Sequence, residues 1–365
     1  MNPFRIAVAD AELDRLHARL ADARWPSGGP GNDPRRGITA ARLAELADHW
    51  RTGYDWRAAE AELNRHPQFR TEIDGQVVHF VHVRSGDPDA VALLLTHGYP
   101  SSPAEFGRLI DLLTDDFHLV VPSLPGYGFS TPLAGPGATM GRAARLWVEL
   151  MRRLGYERYG VHGGDVGAGV SGAGAALDPA HVVGVHVVTD PTTAAATATF
   201  LPGLADGLDP DDGTDALILE RMTAFRTENS GYLAVQNSRP QTIGYALADS
   251  PLFQLAWIAE KFDEWAQHPI DSDLLLTTVS LYWFTGCGAT AAHTLYDQAH
   301  AHDWGGPVTV PQGFAVFGAD ETVRRLVPAP PDAHWTEFAH GGHFPAMEAP
   351  VDLAADLRTF FAGTR

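Results

Sequence analysis

The sequence predicts an α/β fold in which helices flank a mostly parallel sheet. Short apolar runs alternate with helical stretches along the 365 residues, which is the pattern of strand-helix-strand units. These runs lack a polar face, as expected for central parallel strands that helices cover on both sides. Glycine-rich turns follow several of them. The predicted strands are 77–83, 92–96, 118–121, 159–162, 182–189 and 313–317.

The first 75 residues are predicted to form an N-terminal extension. Amphipathic patterns predict helices at 9–23 and 39–52, and a loop rich in glycine and proline separates them at 27–34. This part carries none of the apolar strand pattern of the core. We expect it to wrap around the core and the cap.

The core is predicted to comprise residues 76–195 and 304–365, which contain all six strands. Residues 196–303 lack that strand pattern and should form a helical cap, or lid. A linker rich in threonine and alanine leads into the cap at 192–199. A cap inserted between two strands lies above the sheet edge where those strands end, and it can therefore cover a site there.

The most informative motif is Gly163-Gly164-Asp165-Val166-Gly167, which follows a short apolar run. Glycines around a strand end permit the sharp strand-to-helix turn, the nucleophile elbow, that exposes one side chain above the sheet. That position usually holds serine, and here it holds Asp165. A carboxylate can attack carbon directly and form an ester. Asp165 is the candidate nucleophile.

Two other motifs supply partners for Asp165. His97-Gly98-Tyr99-Pro100 follows a predicted central strand, where backbone amides can form one half of an oxyanion hole. The predicted oxyanion amides are those of Tyr99 and Val166, the residue after the nucleophile. Gly341-Gly342-His343-Phe344-Pro345 lies near the C-terminus and offers His343 as the general base.

An acid that orients His343 is expected after the last predicted strand. Asp320 lies three residues after Phe317, and Glu321 beside it is a rival. The order Asp165, Asp320, His343 is nucleophile, acid, histidine, which is the chain order of the α/β-hydrolase fold. The sequence therefore predicts that fold with an aspartyl nucleophile.

The chain resembles the epoxide hydrolases of the microsomal type along its whole length. The motifs around Tyr99, Asp165 and His343 carry part of the resemblance. Further stretches are Pro3-Phe4-Arg5-Ile6, Arg24-Trp25-Pro26, Tyr54-Asp55-Trp56-Arg57, Phe69 to Gly75, Pro122 to Ser130, Arg239-Pro240-Gln241-Thr242, Asp249-Ser250-Pro251 and Ala256 to Phe262. The resemblance implies that Asp165 opens an epoxide and that water activated by His343, with Asp320 as the acid, hydrolyses the resulting ester.

The family also uses two cap tyrosines as proton donors to the opening epoxide. The resemblance places the first at Tyr232, seven residues before Arg239-Pro240, and the second at Tyr296. The spacing from Leu281-Tyr282-Trp283 to Tyr296 is one residue longer than the family pattern. Val166 is a second departure, since many relatives carry tryptophan after the nucleophile. Only the backbone of that residue serves the oxyanion hole, so the change should alter the pocket rather than the chemistry.

Four alternative functions are each compatible with part of the sequence. A haloalkane dehalogenase shares the aspartyl nucleophile but commonly has tryptophan or, in the fluoroacetate type, arginine where this chain has Val166. A serine hydrolase would use Ser171, which lies about two helical turns past the strand. A nucleotide-binding oxidoreductase is suggested by the G-x-G-x-x-G run 167–172, with Asp190 near the distance of a ribose-binding acid. A catalytically silent binding protein on the hydrolase scaffold is the fourth.

Composition limits the partners and the compartment. There are 26 basic and 45 acidic residues, a net charge of −19, which disfavours nucleic acid and anionic membranes. Cys287 is the single cysteine, so no intrachain disulfide is possible and a reducing cytoplasm is the expected location. The N-terminus lacks a long apolar run, so no membrane anchor is expected. A homodimer is compatible with the sequence.

No cofactor and no metal are expected. His79 and His82 lie three apart in a predicted strand and so point to opposite faces, and the run 300–303 has no ligand cluster beside it. The expected partner is a small epoxide, and an aryl or bulky one would suit a pocket with Phe200, Trp257 and Phe344. Detoxification and secondary metabolism are both compatible with the pattern.

Overall fold

One nine-stranded sheet organises the computed structural model, which describes residues 1–27, 33–201, 203–301, 303 and 305–363. The strand order is β1-β2-β3-β5-β4-β6-β7-β8-β9. The strands are β1 (Asn2–Phe4), β2 (Gln68–Ile73), β3 (Gln76–Val83), β4 (Val91–Thr96), β5 (Phe117–Pro122), β6 (Tyr159–Gly163), β7 (Val182–Thr189), β8 (Gln312–Phe317) and β9 (His334–Phe338). From β5 to β9 all neighbours are parallel, while β1, β2 and β3 form an antiparallel edge.

The helices lie between these strands and on both faces of the sheet. They are α1 (Asp10–Ala21), α2 (Ala40–Thr52), α3 (Trp56–Leu63), α4 (Gly107–Leu113), α5 (Met140–Leu154), α6 (Val166–Leu177), α7 (Pro191–Phe200), α8 (Gly213–Ala224), α9 (Gly231–Ser238), α10 (Pro240–Asp249), α11 (Pro251–Trp265), α12 (Ser272–Thr285), α13 (Cys287–Ala299), α14 (Glu321–Leu326), α15 (Pro345–Glu348) and α16 (Pro350–Ala362). Apolar residues of α4 and α16 fill one face of the sheet, and those of α5 and α6 fill the other. The central strands are buried on both faces because of this arrangement.

The register of the parallel strands brings their carboxyl ends together. Thr96 of β4 pairs with Gly163 of β6, Gly163 pairs with Val187 of β7, and Thr189 of β7 pairs with Val316 of β8. Loops that leave these strands therefore start at one edge of the sheet. In open α/β sheets this edge is where ligands bind.

The helices α7 to α13 form the predicted cap segment between β7 and β8. The predicted boundary at residue 195 falls inside α7. The N-terminal extension packs on this segment, because α1 and α2 contact α11 and α3 contacts α12. The buried indole of Trp50 donates to Ser280 Oγ at 2.9 Å. The strands β1 and β2 of the N-terminal extension also add to the sheet of the core. The extension therefore contacts both the cap segment and the core.

The six strands predicted from sequence form within one residue of their expected ends. The sequence did not predict β1, β2, β9 and α3, which lie at the two sheet edges and in the extension. The predicted loop at 27–34 falls largely outside the described residues. In the described part of the chain, the only stretch with the length and composition of a membrane span is α12 and α13 taken together, and these two helices are bent by 89°.

Candidate active site

Asp165 lies in a strained turn between β6 and α6. Its φ of 52° is in the left-handed region, which is rare for a residue with a side chain and costs about 1–3 kcal/mol. Gly98 makes room for it, because a Cβ at residue 98 would lie 2.5 Å from Asp165 Cβ. Gly167 is equally constrained, since a Cβ there would lie 2.0 Å from the Thr96 carbonyl oxygen. The local backbone is thus built around the exposed Asp165 carboxylate.

The two oxygens of Asp165 have different neighbours. The Tyr99 amide donates to Oδ1 at 2.8 Å, and His343 Nε2 lies 3.7 Å from Oδ2. Val166 opens α6, so its amide is among the helix donors that lack an intrahelical acceptor. The Tyr99 amide thus holds one oxygen of Asp165, and the other oxygen, Oδ2, faces the histidine.

The loop that carries His343 is held by the end of α11. The His343 amide donates to the Trp265 carbonyl at 3.1 Å, and the Gly341 amide donates to Gln267 Oε1 at 2.7 Å. A Cβ on Gly342 would lie 2.7 Å from both the Gln267 nitrogen and the Trp265 oxygen. The imidazole packs on the Trp265 indole, with ring centroids 4.9 Å apart. Cap and core thus meet at the candidate base.

The carboxylate beside His343 belongs to Asp190, at the end of β7. Asp190 Oδ2 lies 3.4 Å from His343 Nδ1, and Thr193 Oγ1 lies 2.9 Å from the same nitrogen. The Thr193 hydroxyl donates to Asp190 Oδ2 at 2.5 Å. Asp190 also accepts the Thr192 and Thr193 amides and so caps α7. In the sequence, this acid stood out only for the nucleotide-binding alternative.

The structure does not bring Asp320 to His343. Its carboxylate accepts from the Arg221 guanidinium at 2.7 Å and from the Thr322 amide at 3.0 Å. It thereby caps α14 and ties that helix to α8 of the cap segment. Glu321, the rival acid, is exposed. The expected Asp320–His343 pair is corrected to an Asp190–His343 pair, because Asp320 already has a cationic partner.

Charge around His343 favours its protonated form. Burial alone would lower the pKa of His343, but Asp190, Asp165 and Glu105 together raise it above the ordinary value. For Asp190, burial would raise the pKa, and hydrogen bonding to His343 and Thr193 lowers it below the usual range. Burial raises the pKa of Glu105 to about 7. Glu105 lines the same cavity and was not predicted from sequence.

The two predicted tyrosines differ in position. Tyr232 stacks on Tyr99 with centroids 6.1 Å apart and planes 5° apart, next to the amide that holds Asp165. Burial and then the Asp165 charge raise the pKa of Tyr232 well above its usual value, so its hydroxyl stays protonated. Tyr296 instead stacks on His300 at 4.1 Å on α13. Tyr296 is not among the residues that line the cavity at Asp165. One extra residue rotates a helical side chain by about 100°, which changes the face of the helix on which it lies.

The predicted pocket residues are only partly at the site. Phe344 lines the cavity and stacks on Phe262 at 4.4 Å. Trp257 lies further from the cavity, where its indole donates to the Tyr99 hydroxyl at 2.7 Å. Phe200 is 51% exposed and packs on Phe225, so the expectation that it lines the pocket is wrong. The cavity residues are Gly98, Tyr99, Ser101, Glu105, Phe106, His162, Gly164, Asp165, Val188, His343, Phe344, Pro345, Ala346 and Leu353.

A second cavity lies beside Val166. Its walls include Tyr127, Val170 and Leu295. Thr294, which lies two residues before Tyr296 in α13, also lines this second cavity. Its hydroxyl donates to the Tyr127 hydroxyl at 3.2 Å. The small side chain of Val166 therefore forms part of the wall of this second cavity.

The alternative sites have less support. Ser171 is buried within α6, and its hydroxyl has no hydrogen-bond partner in the described part of the chain. The glycines at 167, 169 and 172 lie inside α6 rather than at the strand end that dinucleotide binding requires. Among the residues that the structure describes, no three histidine, cysteine or acidic side chains are grouped as metal ligands would be. Of the run 300–303, residue 302 lies outside the described residues.

Comparison with known proteins finds similarity to epoxide hydrolases along nearly the whole chain. Residues 1–106 match the family described as epoxide hydrolase N terminus, and residues 93–357 match the alpha/beta hydrolase family. The chain is 33% identical to epoxide hydrolase 1 of Sus scrofa over 408 residues, covering 99% of this chain and 88% of that protein. It is 32% identical to juvenile hormone epoxide hydrolase 2 of Ctenocephalides felis, covering 98% of this chain and 84% of that protein. The solved epoxide hydrolase of Aspergillus niger superposes with a TM-score of 0.87 at 32% identity, covering 100% and 96%.

Proposed function

The chain belongs to the epoxide hydrolase family and is an epoxide hydrolase, and on this premise we propose that Asp165 is the residue that attacks the epoxide carbon. The observation that carries the proposal is the geometry of its carboxylate. Oδ1 is held by the Tyr99 amide at 2.8 Å, whereas Oδ2 faces the cavity and His343. Attack by Oδ2 forms an ester bond and breaks the C–O bond of the epoxide.

The opening epoxide needs a proton, because a free alkoxide is a poor leaving group. Tyr232 supplies it in this proposal. Its ring stacks on Tyr99 beside the nucleophile, and its hydroxyl is protonated at neutral pH. Donation at the moment of bond breaking leaves a hydroxyl on the substrate and a phenolate on Tyr232. The proton that His343 takes from water in the second step balances this one, and its return to Tyr232 through solvent restores both residues before the next turnover.

The second step hydrolyses the ester at the Asp165 carbonyl carbon. His343 Nε2 removes a proton from water, and the hydroxide attacks that carbon. The developing negative charge falls on Oδ1, where the Tyr99 amide already donates and the Val166 amide is expected to join it. Collapse of the tetrahedral intermediate releases the vicinal diol and restores the carboxylate. No cofactor takes part in either step.

The preferred substrate is proposed to be a bulky or aryl epoxide. Aromatic rings surround the nucleophile, since Tyr99, Phe106 and Phe344 line its cavity and Tyr232 stacks on Tyr99. Apolar contact with such substrates gives binding energy in proportion to the area that is buried.

The test is a single turnover in water labelled with oxygen-18, with enzyme in excess over an aryl epoxide. If Asp165 attacks, the first diol receives its new oxygen from the carboxylate and is unlabelled. The label then appears in the Asp165 peptide, which mass spectrometry can locate. Labelled diol in the first turnover, with an unlabelled peptide, would mean that water attacks the epoxide directly and would overturn the proposal.

A further inference from the structure

We propose that the acid that orients His343 is Asp190 and that it acts through the Thr193 hydroxyl. Asp320 does not orient His343 in this proposal. The inference rests on the proposed function, because it concerns the hydrolysis of the Asp165 ester. Asp190 and Thr193 do not reach the reacting atoms. They are positioning residues that set the tautomer and the basicity of His343.

The hydrogen bonds of Thr193 determine which imidazole nitrogen of His343 carries the proton. We call the chain of hydrogen bonds from His343 through Thr193 to Asp190 the relay. A hydroxyl has one hydrogen, and Thr193 donates it to Asp190 Oδ2 at 2.5 Å. Thr193 Oγ1 can then only accept from His343 Nδ1, which lies 2.9 Å away. The proton of the neutral imidazole is thus on Nδ1, and Nε2 presents its lone pair. Nε2 is the nitrogen that faces Asp165 Oδ2, so it can take a proton from the attacking water.

The relay moves no proton along its length. When water gives its proton to Nε2, His343 becomes an imidazolium whose Nδ1–H still donates to Thr193. The charge is compensated by Asp190, which lies 3.4 Å from Nδ1 and is 8% exposed. Asp165 is neutral while it is esterified. In the second step Asp190 and Glu105 are therefore the carboxylates that stabilise the imidazolium.

Asp320 is placed like Asp190 but has a different partner. Each aspartate follows one of two adjacent parallel strands, β7 or β8, and each caps the next helix through a threonine. The difference is Arg221 of α8, which donates to Asp320 Oδ2 and also to Thr322 Oγ1, both at 2.7 Å. The guanidinium neutralises Asp320 and holds it toward the cap. The nearest charged partner of Asp190 is the histidine itself.

The matched variants are Asp190→Asn and Asp320→Asn, since asparagine caps a helix as well as aspartate does. In Asp190→Asn the side-chain amide can donate to Thr193 Oγ1, which turns the threonine hydroxyl toward His343 Nδ1. The proton of the imidazole then moves to Nε2, the wrong nitrogen for a base. Thr193→Val removes the bridge and leaves only the 3.4 Å approach of Asp190.

The readout is pre-steady-state kinetics with one epoxide over a range of pH, resolving ester formation from ester hydrolysis. In Asp190→Asn, hydrolysis should slow by on the order of 10²- to 10⁴-fold while ester formation is nearly unchanged, so the ester accumulates. The groups that face His343 are Asp190, Asp165 and Glu105, and all three raise its pKa. Loss of Asp190 should therefore lower the pKa of His343. The fall in the rate of ester hydrolysis on the acidic side of its pH profile, the acid limb, should then lie at lower pH.

In Asp320→Asn both the rates and the acid limb should overlay the wild type. Slow hydrolysis in Asp320→Asn with normal hydrolysis in Asp190→Asn would overturn the inference, and so would normal hydrolysis in both variants. A purely structural effect of Asp190→Asn would slow ester formation as well, without moving the acid limb, and it would also count against the relay. Failure of the proposed function is distinguishable, because the wild type itself would then form no ester with any epoxide.

Discussion

At the residue scale, the two oxygens of the Asp165 carboxylate have different neighbours, and the site depends on this difference. The backbone holds Oδ1 through the Tyr99 amide, and Oδ2 is left to face His343 and the cavity. Preorganised amides of this kind stabilise charge that appears only during the reaction. In the proposed mechanism, the oxygen that is bound in the resting carboxylate is also the one that carries negative charge during ester hydrolysis.

The position of Tyr232 makes a specific prediction about the first step. Tyr232→Phe keeps the ring that stacks on Tyr99 but removes the proton donor, so ester formation should slow by about 10²-fold or more. Hydrolysis of the ester once formed should change little. Stopped-flow measurement of a single turnover separates the two rates.

Tyr296→Phe is the matched control, because Tyr296 stacks on His300 and is not among the residues that line the cavity at Asp165. Both rates should stay within about twofold of the wild type, as for other changes outside the reacting groups. If Tyr296→Phe slowed ester formation as much as Tyr232→Phe did, α13 would have to present Tyr296 to the nucleophile rather than to His300.

Single residues of the site were predictable where a local pattern encodes them. Asp165 and His343 stand in short glycine motifs whose backbone needs are visible in the sequence. The partner of His343 was not predictable in this way, because Asp190 and Asp320 both follow apolar strands. The choice depends on Arg221, which is about a hundred residues from Asp320 along the chain. One signal was available, since Asp190 directly precedes Pro191, as expected of a helix cap at a strand end.

At the scale of elements, the site depends on how closely α6 approaches the end of β4. Gly167→Ala would put a methyl group 2.0 Å from the Thr96 carbonyl oxygen, and neither backbone can move without shifting Tyr99. We expect the free energy of unfolding to fall by about 1–3 kcal/mol and the rate of ester formation to drop. Urea denaturation and single-turnover kinetics measure the two effects.

Gly172→Ala on the same helix is the control. A Cβ at residue 172 meets no atom within 4 Å, and alanine is a better helix former than glycine. This variant should gain up to about 1 kcal/mol of stability and keep its activity. Equal losses in both variants would show that α6 tolerates no side chain at either position, whatever the distance to its neighbours.

Elements were predictable in proportion to their burial. The parallel strands from β4 to β8 show as continuous apolar runs because helices cover both faces. The missed strands β1, β2 and β9 are short or polar, and β1 and β9 are the two edge strands of the sheet. The rotation of α13 was also out of reach, since a one-residue change in spacing decides which face Tyr296 occupies.

At the scale of the whole molecule, the N-terminal extension is a structural part of the cap and the sheet. Trp50 of α2 is buried and donates to Ser280 of α12. Trp50→Ala should lower the free energy of unfolding by about 3–5 kcal/mol, because it leaves a large cavity and removes the hydrogen bond to Ser280. Chemical denaturation measures this loss directly.

Trp25→Ala is the corresponding control, since Trp25 is 43% exposed. Its effect on the free energy of unfolding should stay within about 0.5 kcal/mol, as for most surface changes. A comparable loss in both variants would mean that Trp50 is not the anchor between the extension and the cap.

The central claim is that the reaction passes through an ester on Asp165 that His343 then hydrolyses. The most direct measurement is intact and peptide mass spectrometry of His343→Gln after exposure to a panel of aryl and alkyl epoxides and haloalkanes. Without the base the second step should stall, so we expect an adduct with the whole mass of an epoxide on the Asp165 peptide. An alkyl adduct formed only from haloalkanes, or a folded variant whose Asp165 stays unmodified while the wild type consumes the same epoxide, would contradict it.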